Sequence, residues 1–204
     1  MLVKRIPAGV YAANCYILID EESRECAVID PGGDVEDIIS YINEASVEVK
    51  YILLTHGHID HTGAVGCLEE TYGISTHIHK KDGQYILGGE FMFGPLRYKG
   101  NDVELIMDLE QDKIFMLGKI DIKCIETPGH TLGGVCFLAE EKLFTGDTLF
   151  LRSIGRTDLS GGNFNTLINS IKDKLLVLNL DTTVFPGHGP QTSIRYERDN
   201  NPFL

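Results

Sequence analysis

The most informative segment of the chain lies in its first third: Tyr51-Ile52-Leu53-Leu54-Thr55-His56-Gly57-His58-Ile59-Asp60-His61. It begins as an apolar run typical of a buried strand and ends with four potential metal ligands within six residues. A turn can bring such side chains to one point, whereas a strand would alternate them between its two faces. The chain has only seven histidines in 204 residues, so three within six positions indicate a shared role. We therefore predict a metal site on a turn at the end of a buried strand.

The flanking segments alternate between predicted strands and helices. Upstream, two apolar runs form a predicted hairpin, and Asp34 can cap the helix that follows it. Downstream, a helix ends at Gly73, and later segments are mostly strands with one long helix. The predicted strands are 14–20, 25–30, 49–54, 74–78, 103–107, 113–117, 120–126, 135–139, 142–145 and 182–185, and the main helices are 63–72 and 164–178. With no linker or repeat in between, residues 1–204 are predicted to form a single α/β domain of mixed sheets covered by helices.

Three further ligand-type residues follow predicted strands, and each lies beside a glycine that lets the backbone turn sharply. His130 lies in Pro128-Gly129-His130-Thr131, Asp147 in Thr145-Gly146-Asp147-Thr148, and His188 in Phe185-Pro186-Gly187-His188-Gly189. Together with the first cluster they supply five histidines and two aspartates, which is enough to hold two ions.

Composition narrows the classes of partner and compartment. A formal charge of −12 argues against a nucleic-acid partner, because phosphate binding needs a basic surface. No stretch approaches membrane-spanning length, so no membrane partner is expected. Five cysteines, an odd number without C-x-x-C spacing, favour a reduced, cytoplasmic compartment.

The pattern H-x-H-x-D-H followed by His130, Asp147 and His188 resembles the metallo-β-lactamase superfamily. The residues around these three ligands are similar to the hydroxyacylglutathione hydrolase (glyoxalase II) branch, in a short form without its C-terminal helical domain. The resemblance implies an αβ/βα sandwich of two mixed sheets with helices on the outer faces and metals at one edge between the sheets. It further implies that one metal takes His56, His58 and His130, that the other takes Asp60, His61 and His188, and that Asp147 bridges them.

Two ions about 4 Å apart can share a hydroxide and orient it for attack on a carbonyl. Zinc is the expected metal, with iron or manganese as alternatives, and Asp60 is the predicted catalytic residue. A thiolate leaving group, with a pKa of about 8.5, departs without much help from an acid. The residues therefore favour a hydrolase acting on a small-molecule thioester such as S-lactoylglutathione.

Two departures from glyoxalase II bear on specificity. That family has a C-terminal extension with cationic contacts to glutathione, whereas sixteen residues follow His188 here. In Gly155-Arg156-Thr157-Asp158, Arg156 occupies the place of a cationic glutathione contact, but Asp158 replaces a tyrosine. Arg156 is thus either a substrate-binding residue or the partner of Asp158 in a salt bridge that orders the loop.

The same Gly-Arg-Thr-Asp signature is shared with persulfide dioxygenases of this fold. The alternative function is therefore a mononuclear Fe(II) dioxygenase, in which His56, His130 and Asp147 form a facial triad. A third possibility is a metal-binding module without catalysis.

Weaker candidates complete the set. Asp30 is predicted either to hydrogen-bond a ligating histidine or to cap a turn. His77 and His79 are expected at the surface, because they lie outside the family pattern. Phe91, Phe93, Arg97 and Tyr98 are expected to pack locally or to form a flap that faces the substrate.

Overall fold

Two six-stranded sheets lie face to face in the computed structural model, which describes residues 1–87, 97–98, 101–102 and 104–204. The first sheet contains, in spatial order, β1 (Leu2–Ala8), β2 (Ala13–Asp20), β3 (Glu25–Ile29), β4 (Glu48–Leu53), β5 (Thr76–His79) and β8 (Leu105–Leu109). A short pair, β6 (Arg97–Tyr98) and β7 (Asn101–Asp102), precedes β8. The sheet is mixed, since β1, β2 and β3 pair antiparallel and the remaining pairs are parallel.

The second sheet comes from the rest of the chain. Its strands, in chain order, are β9 (Ile114–Leu117), β10 (Ile120–Glu126), β11 (Val135–Ala139), β12 (Lys142–Gly146), β15 (Thr183–Pro186) and β16 (Thr192–Ser193). All pairs are antiparallel except β12 with β15. A small hairpin, β13 (Leu149–Phe150) and β14 (Ser153–Ile154), stands beside it.

Helices flank the sheets. They are α1 (Val35–Ala45), α2 (Ile59–Thr62), α3 (Val65–Tyr72), α4 (Lys80–Leu87), α5 (Phe164–Ser170), which continues into a π-helical segment (Ile171–Leu175), and α6 (Ile194–Asn200). One apolar core fills the space between the sheets, and two others lie under α1 with α3 and under α5 with the π-helical segment. The fold prediction, a sandwich of mixed sheets with helices outside, is confirmed.

The burial of a strand explains whether it could be predicted from the sequence. Every residue of β2 is buried, because both faces of that strand are covered, and its apolar run was correctly predicted as a strand. In contrast, only Ile6 and Ala8 of β1 are buried, so this strand shows no clear alternation and was not predicted. The helix predicted over 164–178 is shorter than expected, because α5 changes to a π-helical segment at Ile171.

The remaining predictions concern the surroundings of the site. The predicted turn-rich segment 88–95, with Phe91 and Phe93, lies outside the described residues, as do the side chains of Arg97 and Tyr98. All five cysteines are free, and four of them are buried. Among the described residues, no helix is long and apolar enough to cross a membrane.

Strand ends converge at one edge of the sandwich. β12 and β15 are parallel, so they end together, and the Gly187 N–H donates to the Gly146 carbonyl at 2.8 Å. The end of β4 joins the second sheet where the Val135 N–H donates to the Thr55 carbonyl, also at 2.8 Å. Segments that follow β4, β10, β12 and β15 therefore meet at this edge.

Candidate metal centre

All seven predicted ligands lie in the segments that meet at this edge. His56 and His58 follow β4, Asp60 and His61 belong to the short helix α2, and the other three follow β10, β12 and β15. Gly32 allows α2 to approach, because a Cβ at this position would lie 1.7 Å from the Asp60 carbonyl oxygen. A side chain at Gly187 would meet Asp147 Oδ1 at 2.4 Å, so the glycines beside the ligands have a steric role.

The ligand-type atoms form two groups. The first group, which we name the histidine triad, contains His56, His58 and His130, whose ring nitrogens lie within 4.8 Å of one another. His130 Nε2 is 2.9 Å from His58 Nδ1. His56 and His130 are buried, whereas His58 is half-buried.

The second group, the mixed triad, contains Asp60, His61 and His188, also within 4.8 Å of one another. His188 Nε2 lies 3.2 Å from Asp60 Oδ2 and 3.4 Å from His61 Nε2. This triad is closer to solvent: the side chain of His188 is 31% exposed, against 4% for that of His130.

Asp147 stands between the two triads. Its Oδ1 lies 3.4 Å from His61 Nε2 and 3.7 Å from His188 Nε2, on the side of the mixed triad. Its Oδ2 lies 3.6 Å from His130 Nε2, on the side of the histidine triad. The structure therefore places one carboxylate oxygen toward each group.

Hydrogen bonds fix the tautomers of three histidines. His130 Nδ1 lies 2.7 Å from the Arg156 carbonyl, which can only accept, so this nitrogen carries the proton. His61 Nδ1 similarly lies 3.0 Å from Asp30 Oδ2. Thr55 Oγ1 donates to Asp30 at 2.6 Å and so accepts from His56 Nδ1 at 3.0 Å. In each case the proton on Nδ1 leaves Nε2 as the nitrogen that would bind a metal ion.

The two triads differ in charge when no ion is bound. Burial, followed by the charge of His130, lowers the pKa of His58 to about 4, and burial with His61 nearby lowers the pKa of His56 well below its ordinary value. For His61, burial opposes protonation, but the carboxylates of Asp147 and Asp30 raise its pKa well above the ordinary value. The close contact with Asp60 raises the pKa of His188. His56 and His58 are therefore neutral, and the mixed triad is ion-paired.

Carboxylates of the site stay ionised despite their burial. Burial alone would raise the pKa of Asp147, but His61 and His130 hold it below its usual range. Asp60 shows the same balance, in which burial is outweighed by His188 and His61. Both groups are thus available as anionic oxygen donors.

The arrangement fits divalent ions. Within the described part of the chain, the buried atoms His56 Nε2 and Asp147 Oδ1 have no hydrogen-bond partner, a costly state unless another group binds them. Asp30, His56 and His61 also lie within 4.8 Å of one another. The oxygens of Asp30, however, already accept from the Thr55 N–H, from Thr55 Oγ1 and from His61, so Asp30 supports the predicted ligands.

Two supporting residues were missed from the sequence. Thr55 links Asp30 to His56, and Asp82 accepts from the backbone N–H groups of Gly57 and Gly133. Thr55 directly precedes the first ligand, a position that could have drawn attention to it. The loop contacts of Asp82 are to backbone N–H groups, which carry no side-chain signal in the sequence.

Arg156 and Asp158 form a salt bridge, which is the alternative to a substrate contact of Arg156. Arg156 Nε and Nη2 donate to Asp158 Oδ1 and Oδ2, each at 2.8 Å, and both side chains are exposed. The expectation that His77 and His79 lie at the surface is wrong, because both are half-buried. His77 contacts Asp108 at 2.8 Å, and His79 lies 3.5 Å from Glu126.

Sequence relatives give the chain a place among known proteins. It is 37% identical to the probable metallo-hydrolase YqgX of Bacillus subtilis, with 98% of this chain and 96% of the relative covered. It is also 37% identical to the hydroxyacylglutathione hydrolase GloC of Haemophilus influenzae, with 100% and 98% covered. These similarities support an enzyme of the metallo-hydrolase type.

Solved structures agree with this assignment. The B3 metallo-beta-lactamase BLEG-1 is 36% identical to this chain and superposes with a TM-score of 0.85. The match covers 100% of this chain and 99% of BLEG-1. TTHA1623, solved in a di-iron-bound form, is 31% identical with a TM-score of 0.83 and coverages of 98% and 100%. ETHE1 from Myxococcus xanthus is 26% identical with a TM-score of 0.82 and coverages of 99% and 84%. A sequence model of the Metallo-beta-lactamase superfamily matches residues 8–188, and the chain therefore belongs to this superfamily.

Proposed function

We propose that this protein is a dinuclear metal-dependent hydrolase of small-molecule thioesters, with S-lactoylglutathione as the first substrate to test. The observation that carries the proposal is the pair of triads with Asp147 between them. In this proposal His56, His58 and His130 would hold one ion, Asp60, His61 and His188 would hold the other, and Asp147 would bind at both. The name of the Haemophilus influenzae relative supports the choice of substrate.

Two divalent ions bound there, most simply Zn²⁺, would supply an activated water nucleophile at neutral pH and would polarise the acyl carbonyl. The residues of the chain position the water and the acyl carbonyl relative to each other. Asp60 is 20% exposed and lies 3.2 Å from His188, so its carboxylate is held in place yet reaches water. We assign to Asp60 the orientation of the attacking water and the acceptance of its proton.

The thioester chemistry places few demands on the rest of the site. Attack forms a bond from the water oxygen to the acyl carbon, and the carbon–sulfur bond then breaks. The leaving thiolate has a pKa of about 8.5 and so needs little protonation to depart. Exposed apolar side chains at Leu132, two residues after His130, and Leu151, after Phe150, are available to contact the substrate.

A second function, persulfide oxidation at a single Fe(II), is favoured by one specific grouping. His56, His130 and Asp147 line the same small pocket, and two of them carry the buried atoms without hydrogen-bond partners. Such a set of two histidines and one carboxylate matches the facial triad of non-haem iron oxygenases. The Gly155–Asp158 signature noted in the sequence points in the same direction.

Metal content and substrate turnover distinguish the two functions. Protein purified without added metal is analysed for metals and assayed with S-lactoylglutathione, and separately with glutathione persulfide in an oxygen electrode. We expect two metal ions per chain and thioester hydrolysis without oxygen uptake. One iron per chain with persulfide-dependent oxygen uptake would contradict the proposal and favour the dioxygenase.

A further inference from the structure

A buried acid outside the two triads connects the segments that carry the histidines. Asp82, the third residue of α4, is 2% exposed. Among the described residues, no lysine or arginine lies within ion-pair distance of it. A buried carboxylate without a counter-ion is costly unless hydrogen bonds compensate it. Its position therefore suggests a specific role for its oxygens.

Each oxygen of Asp82 holds a different loop. Oδ2 accepts from the Gly57 N–H at 3.0 Å, and Gly57 stands between His56 and His58. Oδ1 accepts from the Gly133 N–H at 2.7 Å, three residues after His130. These loops follow β4 of the first sheet and β10 of the second. One carboxylate thus ties together the two segments that form the histidine triad.

The close approach at Gly133 shows how tightly this contact is built. A Cβ at position 133 would lie 2.6 Å from Asp82 Oδ1 and 2.7 Å from His79 Nδ1. Any side chain there would displace the carboxylate or the loop. Glycine and Asp82 therefore act together in this connection.

We propose that Asp82 is a positioning residue of the metal centre, which sets the separation between the His56–His58 turn and the His130 loop. The inference rests on the proposed metal centre but not on the identity of the substrate. Asp30 supports histidine rings through side-chain contacts, whereas Asp82 accepts from the backbone of the two loops and contacts no ring of the histidine triad by a hydrogen bond among the described residues. Loss of Asp82 should therefore loosen the histidine triad without removing any ligand.

The test compares Asp82→Asn with a matched control. The amide keeps one acceptor oxygen and turns its NH₂ group toward the other loop's N–H, so that one of the two contacts is lost. The control is Asp20→Asn: Asp20 is 8% exposed and also accepts two backbone N–H groups, from Glu22 and Lys119, each at 3.2 Å. It lies at the opposite end of β2 from Asn14, which contacts the site edge.

Zn²⁺ affinity is measured by competition with a chromogenic chelator, alongside circular dichroism and thermal unfolding. Asp82→Asn is expected to bind Zn²⁺ about 10–100-fold more weakly than wild type, as found for other outer hydrogen-bond partners of metal ligands. Asp20→Asn is expected to keep the wild-type affinity even where its Tm falls. Equal Zn²⁺ affinity in wild type and Asp82→Asn, or equal weakening in both variants, would overturn the inference.

A second variant covers the case in which Asp82→Asn does not fold. Gly133→Ala disturbs the same contact from the other side, and it is expected to weaken Zn²⁺ binding. Unchanged affinity in Gly133→Ala would overturn the inference. A wild-type chain that binds Zn²⁺ but hydrolyses no thioester would contradict the proposed function alone, whereas one that binds no Zn²⁺ would overturn the metal centre itself.

Discussion

The histidine triad and the mixed triad lie side by side but are built by different means. In the histidine triad, which is largely buried, His56 and His58 are neutral, and the surrounding contacts come from the Arg156 carbonyl, Thr55 and Asp82. The mixed triad contains an ionised carboxylate, reaches solvent at His188 and is supported by a side chain, Asp30. We propose from this difference that the two triads have separate roles: the first would fix an ion, and the second, more open triad would bind water and substrate.

The largest effect is expected where the two triads meet. Asp147→Ala removes the carboxylate that places one oxygen toward each triad, so metal and activity should be lost together. The loss of activity should exceed the roughly 100-fold typical of an outer hydrogen-bond partner. Metal analysis, kinetics and circular dichroism check this, with the exposed Asp121→Ala as control. Full occupancy by two ions in Asp147→Ala would show that Asp147 bridges nothing.

The next effect should be confined to the mixed triad. Asp60→Asn keeps the size of the side chain but removes the charge that orients water and accepts its proton. In metal-saturated protein, kcat should fall about 10²–10⁴-fold, the contribution typical of a general base, with a much smaller change in KM. Steady-state kinetics with a thioester measure both quantities. An unchanged kcat would remove Asp60 from the mechanism and weaken the proposed separation of roles.

A graded effect on both triads is expected from Asp30→Asn. Asp30 has φ +52°, a conformation that asparagine tolerates, so the backbone should be preserved. The amide disturbs the contact with His61 directly and the contact with His56 through Thr55. Metal affinity should fall about 10–100-fold, with the mixed triad affected more. Zn²⁺ titration resolves the two ions, and a loss confined to the histidine triad would contradict this order.

The smallest effect should come from the exposed pair beside the histidine triad. If Arg156 contacts substrate, Arg156→Met should raise KM for a glutathione thioester several-fold and leave a small neutral thioester unaffected, since methionine cannot grip a carboxylate. If its role is only to order the loop whose carbonyl holds His130, both substrates should suffer and Tm should fall. Kinetics on the two substrates decide, and equal loss on both would reject the substrate contact.

Much of this arrangement could be predicted from local sequence, because the residues next to each predicted ligand identify it. Histidine spacing after an apolar run and glycines beside His130, Asp147 and His188 are short-range features, and strand ends of a sandwich share an edge. The strands 120–126 and 135–139 were predicted with the bounds of β10 and β11 for the same reason. Mixed sheets could be predicted because hairpins give antiparallel strand pairs and intervening helices allow parallel ones.

What could not be predicted depends on contacts between distant segments. Asp82 bonds to Gly57 and Gly133, and nothing in the sequence near Lys80–Leu87 marks these partners. His77 and His79 are half-buried partly because the second sheet brings Phe115 against His77 and Glu126 close to His79. β1 was missed because only two of its residues are buried, so its sequence shows little alternation between apolar and polar residues.

The ligand order along the chain has a consequence for folding. His58 and His130 are 72 positions apart and His61 and His188 are 127 positions apart, so each triad takes residues from both sheets. An ion held in this way binds only after the two sheets have docked. By mass action such an ion adds about 2.7 kcal/mol to the free energy of unfolding when its free concentration is 100 times its Kd. The concentration of free metal in the cell would therefore determine how stable the docked arrangement of the two sheets is.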